Sequence, residues 1–168
     1  QYDLALCTYE QAQTHDRGSE SYVKLATQAA NEFETIHTRY RSQVLGLYAR
    51  MWQGKCFEEQ DDINKALGIY NELLDHPGKE SVLRLIKDQA RQFRLICLNH
   101  DERQDHELAI AEAQQWLSEN RSRARTLVGL AIRWERANAQ EKLAETNREL
   151  KASDKERLLR DALDDVKF

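Results

Sequence analysis

This 168-residue chain predicts an all-α fold built from stacked helical hairpins, on three observations. Turn chemistry is scarce, with one proline, Pro77, and six glycines, and a fold of many short strands needs more. Glu, Lys, Arg, Ala, Leu and Gln, all good helix formers, dominate the composition. The sequence also echoes itself every 41 residues, at Trp52, Phe93 and Trp134, at Ala49, Ala90 and Ala131, at Leu45, Ile86 and Leu127, and at Cys56 and Cys97. A fixed period in the range of about 20–50 residues marks a helical array. Amphipathic hairpins bury their apolar faces by stacking on neighbours. The aromatic echo is therefore expected to be a buried seam, with the alanines beside it allowing close approach.

The elements follow from periodicity and punctuation. Residues 2–13 form a short helix with Tyr2, Leu4, Ala5, Leu6 and Tyr9 on its apolar side, broken by His15-Asp16-Arg17-Gly18. Ser19 or Ser21 caps the next helix, because a short hydroxyl accepts from the unpaired N–H groups of a first turn. Tyr22, Leu25, Ala26, Ala29, Ala30, Phe33, Ile36 and His37 form its stripe at steps of three and four. His37 reads as a histidine at the core edge.

Ser42 is expected to cap a third helix through Leu45, Tyr48, Ala49, Trp52 and Cys56. Asp61 and Asp62 supply carboxylates at the start of a fourth, where the helix dipole favours them. It runs through Ile63, Ala66, Leu67, Tyr70, Leu73 and Leu74 until His76-Pro77-Gly78 stops it. Ser81 opens a fifth helix through Val82, Leu85, Ile86, Ala90, Phe93, Ile96 and Cys97. A sixth carries Leu108, Ala109, Ile110, Ala113, Trp116 and Leu117. Thr126 caps a seventh through Leu127, Leu130, Ala131, Trp134, Ala137 and Leu143. Ser153 with Glu156 is a capping-box pattern for an eighth, with Leu158, Leu159, Ala162 and Val166. About eight helices pair as four hairpins, over roughly 1–40, 42–75, 81–118 and 126–168, in one domain covering residues 1–168.

Within the second hairpin, Gly54, Phe57, Ala66 and Tyr70 stand 3, 9 and 4 residues apart. This resembles the tetratricopeptide repeat, a helix–turn–helix unit of 34 residues that places a small residue and an aromatic in each helix. The chain is similar to divergent bacterial members of that family. The resemblance implies a right-handed α-solenoid whose first helices line a concave groove for extended peptides. It implies groove-facing positions at Tyr48, Met51 and Lys55, at Gln89, Gln92 and Ile96, and at Leu130 and Arg133. Members that clamp a C-terminal carboxylate use Lys, Asn and Arg at such positions. Met51 and Gln92 stand there instead, which implies no clamp. Arg50, Gln53 and Leu95 depart from the family pattern, and the repeats are longer than 34 residues.

Net charge is −4, which disfavours general affinity for nucleic acid or anionic lipid. The charge is uneven. Residues 121–168 carry 12 Lys and Arg against 9 Asp and Glu, while residues 1–120 carry 13 against 20. The cluster Arg121, Arg123, Arg125 reads as a solvated loop, with an acidic or RNA partner as the alternative. No apolar run reaches the roughly 18 residues of a membrane helix. Cys7, Cys56 and Cys97 lie in apolar stretches and read as buried small hydrophobes. Unpaired cysteines favour the cytoplasm, with the periplasm as the alternative. A start at Gln1 and an end at Phe168 mid-pattern predict a fragment of a longer chain.

Catalytic patterns are missing from the sequence. It holds neither G-x-x-x-x-G-K-[ST] nor G-x-G-x-x-G, so no phosphate cradle is expected. His100, Asp101 and Glu102 crowd one loop with Asp105, His106 and Glu107. The spacing suits a solvated loop better than a metal site, which needs a tighter ligand set. The carboxylates fall on polar helix faces and read as solvated. The expected function is a non-catalytic module or scaffold that binds a protein or peptide, with no cofactor, metal or nucleic acid. The alternatives are a spacer or self-associating segment and an accessory domain of a larger enzyme.

Overall fold

The computed structural model describes residues 1–78 and 80–167. The last residue of the predicted fourth hairpin, Phe168, lies outside them. All regular structure among the described residues is helical: α1 (Tyr2–Ala12), α2 (Glu20–Arg39), α3 (Val44–Glu59), α4 (Ile63–Asp75), α5 (Ser81–Asn99), α6 (His106–Glu119), α7 (Leu127–Thr146) and α8 (Ala152–Val166), with a 3₁₀ turn at Arg121–Arg123. The chain falls into two compact units, Gln1–Arg94 and Leu95–Phe168, where the sequence suggests one domain.

Several ends lie where the short polar residues place them. The Ser19 hydroxyl accepts from the Tyr22 N–H at 3.2 Å, Asp62 accepts from the Lys65 N–H at 3.4 Å, and Thr126 accepts from the Gly129 N–H at 3.4 Å. Two expected caps are replaced. Helix α3 is entered at Gln43 rather than Ser42, and α8 at Lys151 rather than Ser153; neither entry has a side-chain cap. At α3, close docking takes the place of a cap. A Cβ on Gly46, the third residue, would collide with the Tyr40 carbonyl oxygen. The buried His37 ring lies 3.0 Å from the Gly46 carbonyl oxygen through Nδ1, tying the end of α2 to the start of α3.

The first unit is centred on small residues facing aromatics. Ala5, Tyr9, Ala29, Ala30, Phe33, Ile36, Ala49 and Cys56 form one buried cluster, with Trp52 and Phe57 packed against it. Trp52 lies 5.1 Å from the Tyr9 ring and 6.5 Å from each of the Phe33 and Phe93 rings. Phe93 lies 5.7 Å from the Tyr70 ring, so the Trp52 and Phe93 positions of the 41-residue echo are packing residues. Gly54 brings α3 onto α4: a Cβ there would sit 2.7 Å from Tyr70 Cε1. At the turn between these helices Asp61 adopts φ 59°, a left-handed conformation that Asp tolerates. Arg17, from the α1–α2 connection, pairs with Asp61 at 2.9 Å.

In the second unit α6 packs on α7 and α7 on α8. Leu95, Cys97, Leu98, Ala109, Ala113, Trp116, Ile132 and Ala139 are buried. The seam expected here is corrected. Trp134 is 60% exposed, Leu127 is exposed, and Ala131 is half-buried. Helix α7 buries Gly129, Ile132, Glu135, Ala139 and Gln140 instead. The reason is visible at the helix start. Gly129 is the third residue of α7, and a Cβ on it would collide with the Arg123 carbonyl oxygen six residues earlier. Gly46 and the Tyr40 carbonyl have the same relation, but 83 residues upstream rather than twice 41. One extra residue turns a helix by about 100°, so Trp134 corresponds to the buried Met51 rather than to Trp52, and it is exposed because no described residue covers that face of α7.

Candidate functional site

Two helical ridges in the second unit define an open apolar groove. Trp134, Ala137, Asn138 and Glu141 lie along α7, and Leu159, Ala162, Leu163 and Val166 along α8, around a volume of about 290 Å³. On each helix the four residues are spaced 0, 3, 4 and 7, the period of one helical face. Leu159 is 47% exposed and Leu163 51%. Ala137 and Ala162 form the buried floor. Glu141 is the acidic end of the α7 row, and its neighbours one turn away are Ala137, Asn138, Ala144 and Glu145, none of them a cation.

The groove is held in shape from behind. Asp165, almost wholly buried, accepts from Arg136 Nε at 2.5 Å and lies 3.4 Å from Arg133 Nε. Arg133 also donates to the Asp164 carbonyl oxygen at 3.1 Å. A charged bond in a dry setting is stronger than one in water. This clasp fixes α8 against α7, and the apolar rows are presented on a rigid pair.

A second polar knot ties α7 to the residues that end α5 and follow it. Asn99 donates to the Glu135 carbonyl oxygen at 2.9 Å and to its carboxylate at 3.2 Å. Lys142 donates to the Asn99 carbonyl oxygen and to Asp101, both at 3.0 Å, and holds the Asp101 carboxyl below the usual range. The metal-capable residues of this loop do not converge: His100 accepts from the Glu102 N–H at 3.3 Å, while His106 is buried 3.4 Å from Asn99 Oδ1. His106 is thus the first residue of α6 rather than part of a solvated loop. Among the described residues no three metal-capable side chains stand together.

The first unit contains two adjacent carboxylates that composition reads as solvated, Glu58 buried and Glu59 half-buried. Glu58 is 5% exposed, pairs with Lys55 at 2.5 Å and accepts from the Tyr70 hydroxyl at 3.0 Å. Glu59 accepts from Tyr9 at 2.9 Å, Tyr22 at 2.5 Å and Gln13 at 3.1 Å. Burial pushes the Glu58 carboxyl up, against the pull of Lys55. Burial also pushes Glu59 up, but the Tyr22 hydrogen bond, Lys55 and Tyr9 outweigh it and hold the carboxyl low. For Lys55, burial favours the neutral amine, and the charges of Glu58 and Glu59 reverse that and raise its pKa.

These contacts bear on the residues that the family resemblance puts in a groove. In the first unit, Met51 is 3% exposed and belongs to the interior. Lys55 is committed to Glu58 and Glu59, and its Nζ lies 5.1 Å above the Phe93 ring. Gln89 and Gln92 bond to each other at 2.9 Å, and Tyr48 is half-buried. In the second unit, Ile96 and Leu130 are half-buried, and Arg133 serves the Asp165 clasp. Sequence reasoning passed over Leu163 and assigned Trp134 and Leu159 to packing. The 83-residue spacing of Gly46 and Gly129 is the signal that separates Trp134 from Trp52.

Comparisons with protein-family models, curated proteins and solved structures return no match. Among the described residues no helix is long and apolar enough to cross a membrane.

Proposed function

We propose that this chain is a protein-interaction module of the helical-repeat class, similar to tetratricopeptide-repeat proteins, which holds a partner without transforming it. The observation that carries this reading is the α7–α8 groove, where Trp134, Leu159 and Leu163 share one open surface. Contiguous exposed apolar surface of this kind marks interaction sites, and tryptophan is the residue type most enriched where binding energy concentrates. The repeat class is supported by the small-to-aromatic packing of Gly54 on Tyr70 and by the Gly46–Gly129 correspondence.

The test is photo-crosslinking in the cells that make the protein, with a photoreactive residue at position 134 or at position 89. The expected result is a covalent adduct with one discrete protein. If neither position links to any protein, the interaction reading is lost.

A further inference from the structure

Away from the apolar groove, other faces of α6, α7 and α8 border a polar cleft of about 410 Å³. Helix α7 gives it Arg133, Arg136 and Gln140, and α8 gives it Asp161, Asp164 and Asp165. The spacings are 0, 3 and 7 on α7 and 0, 3 and 4 on α8, so each set shares one helical face. Gln140 is 5% exposed, and its Oε1 is buried with no hydrogen-bond partner among the described residues. Buried acceptors in folded proteins are nearly always met by a donor, because an unmet one is costly to desolvate.

The cationic side chains of the cleft are directed elsewhere. Arg136 donates to both oxygens of Asp165 and to Gln114 Oε1 of α6. Arg133 lies 3.4 Å from Asp165 and donates to the Asp164 carbonyl oxygen at 3.1 Å. Of the other two carboxylates, Asp164 lies 3.4 Å from Lys167 at the surface. Asp161, exposed at the rim, forms no hydrogen bond or ion pair among the described residues. The cleft thus joins an orphaned acceptor to an unneutralised carboxylate, and what completes both is a donor that carries positive charge. The carboxylates do not converge as metal ligands do: among the described residues no three metal-capable side chains stand together. An alkylammonium fits better, with three N–H donors in a compact head on a slim stem. It can serve acceptors on two helices, whereas the donors of a guanidinium lie in one plane.

We propose that this cleft is a binding site for an alkylammonium group, carried by a free aliphatic diamine or by a lysine side chain. The ammonium donates to Gln140 Oε1 and neutralises Asp161. The site is separate from the α7–α8 groove and does not depend on that groove taking a partner.

The test is calorimetric titration of the intact chain with putrescine, a short aliphatic diamine, and separately with N-acetyl-lysine methylamide. The expected result is one saturable site. Gln140→Leu should weaken binding at least about tenfold, as loss of a hydrogen bond to a charged group does. The same variant should keep the wild-type melting temperature, since it replaces an unmet acceptor with an apolar group. Asp161→Asn should weaken binding and flatten its salt dependence. Glu156→Gln removes an equal charge from α8 outside the cleft and should leave binding unchanged. Tighter binding of putrescine assigns the site to a free amine, and tighter binding of the lysine derivative assigns it to a side chain. No saturable heat with either amine up to about 10 mM overturns the proposal and leaves water as the donor to Gln140. Undiminished binding by Gln140→Leu also overturns it, and equal weakening by Glu156→Gln and Asp161→Asn overturns it in favour of diffuse attraction to α8. Leu163→Asp, in the apolar groove, should leave amine binding intact, so this result and the crosslinking result stand or fall separately.

Discussion

Gly129 repeats Gly46: each is the third residue of its helix, and each lies flat against a carbonyl oxygen six residues upstream, that of Arg123 or of Tyr40. A methyl group at either position would push the helix off the turn that precedes it. Gly46→Ala is expected to destabilise the protein by about 1–3 kcal/mol, the cost of overpacking, despite alanine's better helix propensity. Gly68 is the control, because a Cβ there meets nothing within 4 Å. Gly68→Ala should stabilise by up to about 1 kcal/mol. Denaturant midpoints of the two variants should move in opposite directions, and equal shifts would refute the docking account.

The tyrosines around Glu59 make the first unit sensitive to alkali. Burial, then the hydrogen bond and charge of Glu59, push the Tyr22 hydroxyl up to about 12. The Tyr9 hydroxyl is raised by burial and then by the charge of Glu59. An unfolded tyrosine loses its proton near 10. The stabilising contribution is therefore complete below pH 10 and falls as pH rises from there through about 12. Tyr22→Phe should be less stable at pH 8 but lose less between pH 9 and about 11.5. Parallel loss in wild type and variant would contradict this.

His106 gives the opposite slope at acid pH. Burial foremost, then the charge of Lys142, lowers its pKa below 6.5, against the pull of Asp101 and Asp105. The buried neutral ring stabilises the protein above pH 6.5, and this contribution is lost as pH falls through the lowered value. Urea midpoints between pH 7 and about 5 should fall in wild type and stay flatter in His106→Gln.

Phe93 and Trp134 occupy echoing sequence positions and opposite physical ones. Phe93→Ala should cost about 3–5 kcal/mol, as a deleted core ring does. Trp134→Ala should change stability by no more than about 0.5 kcal/mol, as at other exposed positions. Thermal melts of the two variants separate packing from presentation, and comparable losses would return Trp134 to the core.

The helices were legible because three- and four-residue steps survive in every one of them, from Tyr22–Phe33 in α2 to Ile63–Leu73 in α4. Caps were legible where Ser19, Asp62 and Thr126 supply an acceptor, and hidden where Gly46 does the work by lacking a side chain. Trp134 was misread because the 82-residue echo pairs it with Trp52, whereas the Gly46–Gly129 correspondence pairs it with Met51, and sequence alone does not show that a face buried at Met51 is left uncovered at Trp134. Glu58 and Asp165 were read as solvated because pattern alone does not show that Tyr70, or Arg133 and Arg136, come to meet them. Lys55 stands one turn from Glu58 and is legible locally, but Tyr70, Arg133 and Arg136 converge through tertiary packing, of which local sequence carries no trace.

The three cysteine sulfurs turn the fold into its own recorder. Cys7 is exposed on α1, Cys97 is buried, and burial foremost, with Glu59, pushes the Cys56 thiol up to about 12. A thiol-directed reagent at neutral pH therefore marks the native chain at one position, because only the thiolate reacts quickly. The second and third marks accumulate only when α3 or α5 opens. Each molecule thus carries a covalent tally of its excursions from the folded state, readable by mass long after the chain has closed again.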